Sequence, residues 1–442
     1  MYLFFAVVGV YFGYNLAFGS SGGEHSGGSP VLETLLELLV ILLTAKLGGD
    51  LFERIKSPAV LGELIFGMLL GNLHLVGFPY LEPFKTSQIL EILAEIGVII
   101  LLFQVGLEST VKEMMKVGLA SFMVAIFGVV APFFLGWGVA IWFLPEASIY
   151  VHLFIGATLT ATSVGITARV LRDVGKINTR EAKIILGAAV IDDILGLIIL
   201  AVVTGIISAV SSGSGDGISS GRVLFIIGKA VLFVIGAVAI GSLILPHYFR
   251  LGFKLRGTGV FLTFCLLVCF LLAYLAGKVG LAPIVGAFAA GLILEEAYFI
   301  DFIERGEHSI GELIEPIAVF LVPIFFVRMG MMVDLSTFAH IEILGFATVL
   351  TIAAIVGKQA CSLAIFDKTI NRISIGLGMI PRGEVGLIFA SIGAKLIMEG
   401  KPVISSETYS AVVIMVIITT LVTPPVLVMS LKRGMKTKAE PK

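Results

Sequence analysis

Five places in this 442-residue chain set ionisable side chains inside long apolar runs. Asp192 and Asp193 stand side by side in Ala189-Val190-Ile191-Asp192-Asp193-Ile194. Lys358 lies in Ile355-Val356-Gly357-Lys358-Gln359, and Arg382 and Glu384 share Met379-Ile380-Pro381-Arg382-Gly383-Glu384. Arg169 and Arg328 are the remaining two places. Charge in such surroundings is costly and is kept where it binds or moves something. Successive helix positions face about 100° apart, so Asp192 and Asp193 do not serve one partner equally. Two roles follow. One carboxylate pairs with a buried cation such as Lys358, and the other faces a water-filled cavity and takes a proton or a metal ion. Burial and a like charge favour the protonated acid, whereas a neighbouring ammonium favours the carboxylate. Groups this close titrate as a coupled unit. A purely structural ion pair accounts for one aspartate and leaves the second without a partner.

Two of the apolar segments look broken. One reads Gly156-Ala157-Thr158-Leu159-Thr160-Ala161-Thr162-Ser163-Val164-Gly165, rich in small and hydroxyl side chains; the other is the Pro381 stretch, flanked by Gly376, Gly378 and Gly386. Gly- and Pro-interrupted segments in corresponding, oppositely oriented positions point to a midplane site of a membrane transporter. Unwound backbone there presents carbonyls and half-helix ends to a cation. Ordinary packing of small residues between helices is the alternative for either segment alone.

The elements that carry these residues are read from hydropathy. The chain is 58% hydrophobic and only 14% charged, which excludes a soluble domain of this length. Windows of roughly 20 apolar residues fall near 1–18, 31–48, 58–73, 88–108, 115–144, 151–172, 182–209, 222–247, 258–278, 281–297, 312–334, 340–366, 372–397 and 405–431. An all-α polytopic membrane protein with about 13–14 transmembrane helices is therefore expected. At 1.5 Å per residue, the aspartates sit roughly 15 Å into the segment starting near 182, in the bilayer middle, and Lys358 is similarly central in its own segment. With a cytoplasmic C-terminus (Lys432, Arg433, Lys436, Lys438), alternate loops carry Arg54, Lys56, Lys112, Lys116, Arg172, Lys176, Arg180, Lys183, Arg250, Lys254, Arg256, Lys368 and Arg372. The opposite loops hold little beyond Lys85, Arg222, Lys278 and Lys401, and this asymmetry sets the orientation. Residues 1–18 read either as a retained first helix or as a removed signal. The longest polar stretch, Ser211 to Gly221, reads as a flexible loop.

Taken in order, five stretches resemble the second family of monovalent cation:proton antiporters, and within it the NapA-type sodium/proton antiporters. They are Ala161–Val170, Gly187–Gly196 with its paired aspartates, Gly280–Phe288, Pro323–Phe326 and Pro381–Leu387 with its Arg-Gly-Glu. The resemblance spreads across nearly all of residues 31–431. It implies that Asp193 binds the ion or proton, that Asp192 pairs with Lys358, and that Thr162, Ser163 and Glu384 surround the site. Arg382 and Arg169 are supporting residues. It further implies inverted repeats with two crossing discontinuous helices, a core of about 115–209 and 340–431, and a dimerisation part of about 31–108 and 222–334. Residues 1–30 are an added segment and linker, and 432–442 a short cytoplasmic tail. Gln104 and Arg328 depart from the pattern by being polar.

The function expected is secondary active exchange of a monovalent cation, sodium by preference, for protons, in a homodimer of the cell inner membrane. The transported sodium at Asp193 is the one metal ion expected. No cofactor and no nucleic acid is, and Cys265, Cys269 and Cys361 read as packing residues. A potassium/proton exchanger or cation channel of the same fold is the first rival, since carboxylate, hydroxyl and carbonyl oxygens suit either ion. An intramembrane aspartyl protease is the second, disfavoured because its carboxylates come from different helices. The chain runs about ten residues past its last apolar window. The regulatory nucleotide-binding domain of glutathione-gated potassium efflux relatives, with its glycine-rich phosphate turn, is therefore not expected.

Overall fold

The structure, a computed structural model, describes residues 30–55, 57–108, 118–211, 220–253, 255, 259–294, 308–367, 370–398 and 400–436, some of them without their side chains. Residues 1–18 and most of the polar stretch after Ser211 lie outside the described residues. Among the described residues, each apolar window between 31 and 431 carries at least one helix. The α-helices of seven residues or more are α1 (Pro30–Arg54), α2 (Ala59–Gly71), α3 (Gln88–Glu108), α4 (Leu119–Phe143), α5 (Ile149–Thr158), α6 (Val164–Asp173), α7 (Arg180–Ser211) and α8 (Ser220–Phe253). They continue with α9 (Val260–Lys278), α10 (Pro283–Ile293), α11 (Ile310–Met331), α12 (Ile341–Gln359), α13 (Arg372–Gly378), α14 (Glu384–Lys395) and α15 (Ser406–Lys436).

Among the described residues seven helices are long and apolar enough to cross a membrane, or eight if a bent stretch within α8 counts as one. The sequence windows are more numerous because they also include the shorter apolar helices α2, α5 and α10, the halves of the broken segments, and α1 with its six charged residues. The 340–366 window differs in a second way. Helix α12 ends at Gln359 and a 3-10 turn, Ala360–Ala364, follows. Lys358 therefore stands in the last turn of its helix and not at its middle.

The chain forms two compact units, Met1–Val98 with Ile317–Asp334, and Ile99–Pro316 with Leu335–Lys442. In the first, α1 and α2 meet backbone to backbone at Gly48 and Gly62, where a Cβ on either glycine would overlap the other's carbonyl. Apolar side chains gain little from leaving lipid for one another, so such close approach carries much of the attraction between membrane helices. Asn72 closes α2 by donating to Met68 O (2.8 Å) and Val333 O (2.7 Å). Arg328 is buried in this unit beside Glu91, 3.5 Å away, with the Lys85 carbonyl at 3.5 Å. Its charge has a local structural partner.

The second unit packs α4 against α5, α7 and α12, and α12 against α15. Its core includes Val124, Ala125, Ile185, Ala188, Ala189, Cys361 and Met379. A two-stranded antiparallel hairpin, β1 (Ile397–Met398) and β2 (Lys401–Pro402), follows α14 and turns at Gly400. Its first strand accepts a hydrogen bond from Ser211, the last residue of α7 (2.8 Å).

Candidate functional site

Both breaks form where the sequence gives the backbone an alternative to the next helical turn. In the first, Thr158 donates to Phe154 O (3.0 Å) and Thr160 to Ala157 O (2.7 Å), supplying carbonyls at the end of α5 with side-chain partners. In the second, Pro381 has no N–H to give to a continuing helix and biases Ile380 away from helical geometry. Helix α13 stops at Gly378, and α14 begins at Glu384.

The two breaks then complete each other. Ser163 N donates to Pro381 O (2.8 Å), Thr167 Oγ1 to Gly378 O (2.7 Å), and Thr162 Oγ1 to Met379 O (3.4 Å). In return, the buried guanidinium of Arg382 donates to Ala161 O. Ser163 Oγ donates to Glu384 Oε2 (2.9 Å), so one side-chain bond bridges the segments directly. Gly383 is required here, because a Cβ on it would lie 2.6 Å from Ser163 Oγ. Thr420 of α15 donates to Arg382 O (2.8 Å) and fixes the second break from behind. Four half-helix ends thus converge, bringing carbonyl and N–H dipoles to one place.

Lys358 and the aspartates stand at this crossing. Lys358 Nζ donates to Asp192 Oδ1 (2.9 Å), Asp192 Oδ2 (3.0 Å) and Thr160 O (2.7 Å). Both side chains of the ion pair are fully buried. One ammonium therefore neutralises Asp192 and caps the carbonyl end of the first break. Asp193 is also buried, at 5% exposure, yet its Oδ1 has no hydrogen-bond partner among the described residues. Glu384, Asp192, Lys358 and Glu108 are its electrostatic neighbours. A buried carboxylate oxygen left without a donor is costly, and a proton or a cation relieves that cost.

The structure brings together Asp192, Asp193, Thr162, Ser163, Lys358, Arg382 and Glu384. Arg169 lies on α6, but its side chain is outside the described residues. Among the described residues no three His, Cys, Asp or Glu side chains cluster as a metal site. Sequence reasoning did not single out Thr160, Thr167 and Thr420, whose roles are carried by backbone bonds between distant segments. It also took Cys361 for packing alone. Its Sγ donates to Val124 O (3.3 Å), and the turn after α12 sets it next to the Lys358–Asp192 pair.

Comparison with known proteins matches the family described as sodium/hydrogen exchanger, transmembrane, over residues 3–433. The chain belongs to the sodium/hydrogen exchanger family. Among relatives of this exchanger, the high-affinity Na(+)/H(+) antiporter NhaS3 of a Synechocystis species is 39% identical, over 88% of each chain. The probable Na(+)/H(+) antiporter GerT of Bacillus cereus is 37% identical over 88% of this chain and 97% of its own. The Na(+)/H(+)-K(+) antiporter GerN of the same organism is 34% identical over 89% and 95%. The fold matches that of the sodium proton antiporter MjNhaP1 of Methanocaldococcus jannaschii, with a TM-score of 0.67 over 92% of this chain and 98% of that one, at 17% identity. The exchanger described here is thus a multi-pass membrane transporter by family and by fold.

Proposed function

We propose that this exchanger extrudes a monovalent cation, sodium by preference, in return for protons, and that Asp193 is the group that carries either one. The observation that carries the reading is the contrast between neighbours. Both oxygens of Asp192 accept from Lys358, while Asp193 Oδ1 is buried at the crossing with no donor among the described residues. Thr162, Ser163 and Glu384 supply oxygens from the two breaks, and Arg382 holds the breaks together.

Protonation of Asp193 and cation binding there are mutually exclusive, since either satisfies the same oxygens. Exchange follows if the loaded site opens to each side in turn and the empty, charged site does not cross. Lys358 adds a second titratable group: a cation that draws Asp192 into its coordination releases the lysine proton, and departure of the cation restores the pair. Two protons then move for each cation, and the cycle carries one net charge. This chemistry makes no or breaks no covalent bond beyond those to protons, so the protein acts as a carrier and not as an enzyme.

The supporting architecture is a core of about 115–209 and 340–431, with the part about 31–108 and 222–334 holding two copies together. The cell inner membrane, with Lys432, Arg433 and Lys436 at the cytoplasmic end of α15, fits the distribution of basic loops. Potassium is the second reading, favoured by the similarity to GerN, whose name includes that ion. Proteoliposomes with an imposed pH gradient, challenged in turn with sodium, lithium and potassium, test both. The expected result is cation-dependent proton movement, largest with sodium. Equal responses to sodium and potassium would move the assignment to a less selective exchanger.

A further inference from the structure

Helix α13 is only seven residues long, and the end of it far from the crossing is tied down by one residue. Asn371 stands at its N-cap, where the side-chain Oδ1 accepts from Ser374 N (3.2 Å). Its Nδ2 donates to Ser430 O of α15 (3.1 Å), and its backbone N–H donates to Glu181 Oε1 at the start of α7 (3.2 Å). The hydroxyls of Ser374 and Ser430 share a further hydrogen bond (2.8 Å). An aspartate would cap the helix as well as asparagine does. It would have no N–H to give to Ser430 O.

The other end of α13 meets the site. Gly378 O accepts from Thr167 (2.7 Å) and Met379 O from Thr162 (3.4 Å). Between the two ends, a Cβ on Gly376 would overlap the side-chain amide of Gln359, and one on Gly378 would lie 2.6 Å from Ile185 Cδ1. At both contacts α13 presents bare backbone and interlocks no side chain of its own. Its position along its axis therefore rests largely on the hydrogen bonds at its ends. At 1.5 Å per residue it is a rod of roughly 10 Å, short enough for a shift at Asn371 to reach Met379.

The Thr162 hydroxyl has one proton and two neighbouring acceptors, Met379 O and the Asp192 carboxylate. While the proton goes to Met379 O, the Asp192 oxygens stay available to Lys358 or to an arriving cation. If α13 recedes, the hydroxyl turns to Asp192 and competes with the cation for it. We infer that Asn371 is a positioning residue, which holds Met379 O against Thr162 from the far end of α13 and so raises the affinity for the transported cation. The inference rests on the exchange reading above, in which Thr162 and Asp192 meet that cation.

The test measures the sodium KM and kcat of proton movement in proteoliposomes for wild type, Asn371→Asp, Asn371→Asp/Glu181→Gln and Thr162→Ala, with the melting temperature read for each. Asn371→Asp keeps the cap, so its melting temperature should stay near that of wild type. Its sodium KM should rise roughly tenfold, the worth of about one hydrogen bond, with kcat changed much less. The double variant removes the added like-charge repulsion and should keep the raised KM, because the donor to Ser430 O is still missing. A wild-type KM in Asn371→Asp, or a KM restored by Glu181→Gln, overturns the inference, since capping or charge then accounts for the residue. If Asn371→Asp does not fold, Glu181→Ala removes the acceptor of the Asn371 N–H, and an unchanged KM there overturns it equally. A wild-type KM in Thr162→Ala overturns the placing of Thr162 and of Asn371 together. A raised KM in Thr162→Ala beside an unshifted Asn371→Asp overturns the inference alone.

Discussion

Lys358 donates to both carboxylate oxygens of Asp192, at 2.9 and 3.0 Å, while the following aspartate, Asp193, keeps a buried oxygen with no donor among the described residues. Two aspartates adjacent in sequence therefore occupy opposite electrostatic situations within one turn of α7. Removing one partner of a buried pair leaves the other charge stranded, which costs roughly 3–5 kcal/mol. Lys358→Ala should lower thermal stability accordingly. Adding Asp192→Asn to that variant should recover part of the loss, as a thermal-shift series on the purified proteins would read. A double variant no more stable than Lys358→Ala would mean the pair is not the origin of the loss.

The join between the two breaks is tight enough to be probed by one methyl group. Gly383→Ala places a Cβ 2.6 Å from Ser163 Oγ and 2.7 Å from Ser163 Cβ, and the contact can be relieved only by moving one break against the other. Overpacking of this kind typically costs about 1–3 kcal/mol. The variant should lose stability on that scale and lose most of its exchange rate, because the Ser163–Glu384 bond is displaced with it. Ser163→Gly in the same protein should restore stability. An unaltered melting temperature for Gly383→Ala would show that the breaks are not packed as described.

A two-for-one cycle moves one net charge, and 100 mV is worth roughly 2.3 kcal/mol per charge. Inside-negative potential should then drive cation extrusion without any pH gradient. Sodium-driven transport under potassium/valinomycin clamps at several potentials reads this. Rates and endpoints indifferent to the clamp would mean electroneutral exchange, and the use of Lys358 as a second proton carrier would have to be abandoned.

Much of this arrangement was legible before the structure because its signals are local. The helices announce themselves by apolar length, the first break by a run of threonines that bond their own backbone, and the second by Pro381. The charged residues stand out because they lie inside windows that are otherwise mainly apolar. What escaped is what depends on distant segments. Thr167 and Thr420 look like ordinary membrane-helix threonines until Gly378 and Arg382 supply their acceptors. The position of Lys358 in a final helical turn was hidden because hydropathy does not distinguish α-helix from the 3-10 turn that follows it. Cys361 beside the ion pair follows from that same turn. Arg328 stood out as a charge inside an apolar window, and Glu91, more than two hundred residues away in sequence, gives it a structural partner.

The central claim is that Asp193 alternates between proton and cation, and Asp193→Asn tests it most directly. The amide keeps the side chain's size and hydrogen-bonding capacity but carries no charge and takes up no proton. Purified, folded Asp193→Asn is reconstituted beside wild type, and proton movement is followed with a lumenal pH dye as sodium is added outside. The account predicts a response indistinguishable from empty liposomes, with melting temperature at or above the wild-type value because a strained buried carboxylate has been removed. Sodium-dependent proton movement by Asp193→Asn at a substantial fraction of the wild-type rate would contradict it.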